Sequence, residues 1–145
     1  MAITSAICTS FKQELLVGTH NFTATSGNTF KIALYTSSAS LGAGTTAYSS
    51  SNEMTYSSVT AYTAGGATLT SVTPTTDSTT AVCDFADVSY TSASFTANGA
   101  LIYNDTQSDK AVAVIAFGSD KTVTSGTFTI QFPTADATNA IIRLA

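Results

Sequence analysis

The chain has 145 residues, one domain's worth, enough to bury a core without metal or disulfide staples. Charged residues are 10% of it against 43% hydrophobic, and 28 Thr with 19 Ser carry the polarity, which excludes a disordered composition and disfavours a mainly helical fold. A net charge of −4 with five scattered cations (Lys12, Lys31, Lys110, Lys121 and Arg143) excludes a nucleic-acid surface built on counterion release.

Residues 1–11 have no basic n-region and only short apolar stretches, so no signal peptide is expected. No run of about 18 apolar residues occurs, so no membrane span is expected either. The Asn21-Phe22-Thr23 and Asn104-Asp105-Thr106 sequons read as chance matches in a Thr-rich chain.

Ser10 followed by Gln13 is a capping-box spacing, and Phe11, Leu15 and Leu16 follow on one side before Gly18. This predicts one short helix over residues 10–17. So short a helix depends on docking, with Phe11 and Leu15 pressed against the domain's own sheet or against a partner subunit.

From Phe30 the period changes to two. Phe30, Ile32 and Leu34 alternate with Lys31, Ala33 and Tyr35, and similar runs follow over 59–63, 67–72 and 81–86. Runs over 93–97 and 100–104 are separated by Asn98-Gly99, which predicts a two-residue hairpin turn. Residues 111–117 are apolar on both faces and bounded by Gly118-Ser119-Asp120-Lys121, as for a central strand. Phe128, Ile130 and Phe132 form a strand stopped by Pro133, and the apolar end, 140–144, is expected to pair into a sheet. Eight or nine short strands with one helix predict a single all-β domain over 1–145, an antiparallel, jelly-roll-like β-sandwich.

Residues 36–58 break this order, being rich in Ser and Gly without apolar alternation. Loops of that length in compact domains are usually functional or disordered. Tyr48, Met54 and Tyr56 could anchor the segment on a neighbour or fold back onto their own core.

Catalytic groups are scarce. His20 is the single histidine and, between Thr19 and Asn21, reads as a solvated turn residue. No Gly-x-Ser-x-Gly elbow, phosphate loop or dinucleotide fingerprint occurs, and two Cys with one His, far apart, do not make a zinc site. Cys8 and Cys83 read as buried thiols. Asp84, Asp87, Asp105 and Asp109 match no calcium loop and are explained by turn chemistry. No enzyme activity and no cofactor are expected.

Several segments together resemble a family of small tailed-phage virion proteins. They are Ser10-Phe-Lys-Gln-Glu-Leu-Leu-Val-Gly-Thr-His20, Tyr62-Thr-Ala-Gly-Gly66, Gly99-Ala-Leu-Ile-Tyr-Asn104, Ala111-Val-Ala-Val with Phe117-Gly-Ser-Asp-Lys121, and the closing 128–145. The resemblance implies a non-enzymatic virion component, in particular a head decoration or cement protein that binds the major capsid protein lattice and associates with copies of itself as a homotrimer. Its interface would draw on Phe11, Leu15, Leu16, Tyr48, Met54 and Tyr56. The rival expectation is a tail-fibre or spike tip whose Tyr-bearing loops bind a host surface glycan.

Overall fold

The computed structural model describes residues 2–55 and 61–145. In chain order its elements are β1 (Ala6–Ile7), α1 (Thr9–Leu16), β2 (Phe30–Tyr35), β3 (Ala67–Thr68), β4 (Ser71–Asp77), β5 (Thr80–Phe85), β6 (Val88–Asn104), a 3₁₀ turn (Asp105–Gln107), β7 (Lys110–Ile130) and β8 (Ile142–Leu144). Two antiparallel sheets form, a five-stranded one in the order β1-β7-β6-β2-β3 and a three-stranded one in the order β4-β5-β8. The expected all-β, sandwich-like architecture is what the chain adopts, with one helix.

The run at Phe30 maps onto β2 over the same residues, but both of its faces are covered: Ala33 and Tyr35 are buried like Phe30, Ile32 and Leu34, and only Lys31 is partly exposed. The run at 67–72 is divided between the sheets. Ala67 and Thr68 pair with β2, and after Leu69 the chain crosses to form β4 against β5. Of the strand expected over 59–63, residues 59 and 60 lie outside the described residues, and 61–63 are irregular, with Tyr62 buried.

The Asn98-Gly99 hairpin does not form. β6 runs straight through it as one 17-residue strand, and the chain reverses instead at 105–109, where Ser108 and Asp109 take left-handed conformations. Gly99 serves packing: a Cβ there would lie 2.7 Å from the Ile3 side chain and 2.8 Å from the Ile115 carbonyl. Asn98 donates to Asp120 across the ribbon at 2.8 Å. The expected turn at 118–121 is likewise a bulge inside β7. Ala97 faces Lys121 and Gly99 faces Ala116, so a step of two residues on β6 is answered by five on β7, with Gly118 at φ +80°.

The helix spans Thr9–Leu16, one residue ahead of expectation, and its N-cap is Cys8 with no side-chain capping bond. Ser10 is thus inside the helix, with its hydroxyl buried and without a described partner. At the other end Gly18 (φ +76°) donates to Leu15 O and Thr19 to Glu14 O, the paired bonds of a Schellman stop. Phe11 faces inward onto an aromatic spine in which Phe22 stacks on Phe30 at 4.4 Å, Phe30 meets Phe85 at 5.6 Å, and Phe85 meets Phe132 at 6.2 Å. Each such ring contributes about 1.5–3 kcal/mol by burial. Both cysteines are buried free thiols, pushed up by burial to about 11 for Cys8 and about 12 for Cys83.

Candidate interaction surface

The polar groups that sequence left dispersed gather into two buried knots. His20 is not a solvated turn residue: its side chain has no exposed surface and sits 4.8 Å from the Phe11 ring. Asn104 accepts from the Gln107 amide through Oδ1, so its Nδ2 donates to His20 Nδ1 at 3.0 Å and to Asn28 Oδ1 at 2.9 Å. The histidine proton therefore lies on Nε2, which donates to Glu14 Oε2 at 2.8 Å, while Lys110 Nζ holds the other oxygen at 3.0 Å. Burial raises the Glu14 pKa, but the bonds from His20 and Lys110 outweigh it and hold the carboxyl below its usual range. The imidazole has both nitrogens occupied, so the pair fastens α1 to the β6–β7 hairpin.

Glu53 centres the second knot. Its carboxylate accepts from Tyr48 Oη at 2.6 Å, Tyr62 Oη at 2.6 Å and the Gly65 amide at 2.7 Å. Tyr103 donates to Gly65 O at 2.6 Å and stacks on Tyr48 at 4.7 Å, and Tyr35 donates to Ser49 O at 2.7 Å. Burial pushes the Tyr35, Tyr48, Tyr62 and Tyr103 phenols up, so they keep their protons and donate, and Tyr62 Oη also accepts from the Leu34 amide at 2.9 Å. Gly66 (φ +84°) lets this turn lie against the β2 backbone, where a Cβ would collide with Ile32 O. The described part of the Ser/Gly-rich segment is thus tied down, with Met54 N bonded to Leu34 O at 2.7 Å and single bridges joining Tyr35 to Glu53 and Ala47 to Lys110.

Of the six residues assigned to an interface, Phe11 and Met54 lie in the core, Tyr48 and Leu15 are half-buried, and Tyr56 lies outside the described residues. Leu16 is 89% exposed. It does not share the Phe11 side of α1, being five residues on rather than four. Beside it stand Val17, 72% exposed, and Leu144, 57% exposed on the C-terminal strand. Between them runs an apolar groove of about 680 Å³ lined by α1 and residues 140–144. Sequence reasoning placed 140–144 in a sheet and missed Leu144 as surface. The signal available was the i, i+2 pair Ile142 and Leu144, of which the last stands opposite Ala81 near a strand end and is left uncovered.

A second surface is polar. Beyond the bulge, β6 and β7 continue as a two-stranded ribbon whose inward residues, Tyr90, Phe95 and Phe128, pack together. Its exposed residues include Thr91, Thr124 and Thr127, with Ser89 bonded to Thr129 at 3.0 Å and Thr96 to Thr122 at 2.8 Å. Among the described residues no three His, Cys, Asp or Glu side chains gather as a metal site, and no helix is long and apolar enough to cross a membrane. No family model, curated protein or solved structure matches the chain.

Proposed function

We propose that this chain is a tailed-phage virion structural protein, a head decoration or cement protein that binds the major capsid protein lattice as a homotrimer. It would be assembled in the bacterial cytoplasm and reside in the virion, with no enzymatic role and no cofactor. The observation that carries this reading is the apolar strip of Leu16, Val17 and Leu144, which stands exposed while most of the other large apolar side chains are buried in the core. A strip of this kind is a site of attachment, and one set beside an apolar groove that Lys12 and Arg143 also line suits docking onto another protein. The segment resemblance points the same way.

The tail-tip reading drew on Tyr-bearing loops, yet Tyr35, Tyr62, Tyr90 and Tyr103 are buried and Tyr48 is half-buried. Tyr56 lies outside the described residues; among the described ones a glycan would meet the hydroxyl ribbon rather than an exposed tyrosine. Copy number per purified particle separates the two: a count near that of the capsid protein supports decoration. A count of a few to a few dozen, with saturable binding to host polysaccharide, replaces it with the tail.

A further inference from the structure

The three-stranded sheet has fewer strands than the sheet it faces, and its open side is where the apolar groove lies. On that side the seam is bordered by β1, α1 and β8. A trough of about 460 Å³ along β1 and β7 shares Ile7, Ala140 and Ile141 with the groove of about 680 Å³ beside α1, so the two run on into each other. Beneath them Phe11, Leu15, Ile142 and Leu144 also wall a cavity of about 130 Å³.

Of the four sheet edges, β1 and β3 are two residues long and β4 carries Pro74, whereas β8, a short edge of three residues, has no proline. β8 is paired on one side with β5 and with no described strand on the other, and it lies along the groove. The charge around it is also one-sided. Lys31 is paired with Asp105 and Lys110 with Glu14, whereas Lys12 and Arg143 line the groove without an acidic partner among the described residues. Neither trough has an acid in its lining, although the chain as a whole is at −4.

We propose that this seam receives an extended, alternating apolar and acidic segment of a partner protein, added as a strand to the free edge of β8 with its apolar side chains in the groove and its acids against Lys12 and Arg143. Two copies of this chain pairing β8 to β8 about a two-fold axis would bring Arg143 against Arg143, so the charge favours a different, acidic partner. The proposal rests on the adhesion reading above and names the chemistry of what is held.

The test uses the full chain and two labelled peptides, acetyl-(Glu-Val)₄-amide and acetyl-(Lys-Val)₄-amide, followed by fluorescence anisotropy and by amide NMR shifts. The acidic peptide is expected to bind at least tenfold tighter, to shift residues in 12–16 and 140–145, and to lose at least tenfold in affinity with Leu16→Asp or with Leu144→Asp. Leu16 is 89% exposed, so its replacement leaves the fold intact and keeps the outcome readable should Leu144→Asp unfold. Equal binding of both peptides, no binding, or shifts confined elsewhere would overturn the proposal. Sedimentation showing a dimer abolished by Leu16→Asp would overturn it in favour of a second copy. Particle assays keep the two readings apart: a chain absent from particles that still binds the acidic peptide sinks the virion reading and leaves the seam. Co-purification with particles unchanged by both variants sinks the seam and leaves the virion reading.

Discussion

The two sides of α1 differ in what they leave unsatisfied. Inward, Phe11 packs against His20 and Phe22, and Glu14 closes a hydrogen-bonded knot with His20 and Lys110. Outward, Leu16 and Val17 stand in water beside Leu144. An eight-residue helix is too short to be stable by itself, so the inward side must hold it. The outward residues add nothing to that task, and their exposure is the feature that points away from the fold and toward assembly.

The sharpest way to break the inward side is Phe11→Asp. It places a charge in an aromatic cluster with no cation within it, and we expect a loss of about 4 kcal/mol or more, comparable with the whole stability of many domains. Urea unfolding should show little folded protein; a variant melting as the wild type does would mean that α1 is not docked as described.

The Glu53 knot plays the same part for residues 36–55. Glu53→Ala leaves two phenols and the Gly65 amide without their acceptor, which should cost about 3 kcal/mol. Thermal melting checks the size of the loss. Faster amide exchange over 48–54 than at β2 would show that the loop is released first. A uniform change in exchange across the chain would show that the knot does not act locally.

These knots also mark where sequence legibility ends. The bounds of β2 were readable from its alternation, but its burial was not: Ala33 and Tyr35 are covered as fully as Ile32 and Leu34, because the second face is closed by segments that only the fold brings there. The helix stop was readable because a Gly at that point has one efficient backbone solution. The hairpin was misread because Asn-Gly is a turn signal only when nothing else needs the small residue, and here Ile3 covers Gly99. His20 was misread because its partners Glu14, Asn28 and Asn104 come from segments that only the fold brings together. The apolar strip was half legible: Leu16 was named, but on the wrong side of the helix, and Leu144 was read as paired sheet, which it is, without the inference that pairing at a strand end leaves a side chain bare.

Acid sharpens the inward side further. Glu14 has a folded pKa below its ordinary value of 4.5, so its contribution is fully present above that value and is lost as pH falls through the lowered one. Melting temperature should therefore decline below about pH 5, and Glu14→Gln should be less stable at neutral pH but show a shallower decline. Asp136, held at about 2 by bonds from Thr138 and Asn139, titrates in the same direction, so the comparison is best made in an Asp136→Asn background. Parallel profiles for the two proteins would remove Glu14 from the account.

The smallest expected effect on stability is the most informative about function. Leu16→Asp replaces a side chain that is 89% exposed and has little burial to lose, so the change in unfolding free energy should stay within about 0.5 kcal/mol. Helix propensity and the nearby negative end of the helix dipole both act against Asp at this position, which sets the sign as slightly destabilising. Set beside Phe11→Asp, this pair places the same new charge five residues apart on one helix, once inward and once outward. If the inward change unfolds the chain while the outward one leaves melting intact and removes attachment to particles, the two sides of α1 have separate tasks. If Leu16→Asp changes neither, the strip is idle surface and attachment lies elsewhere on the chain.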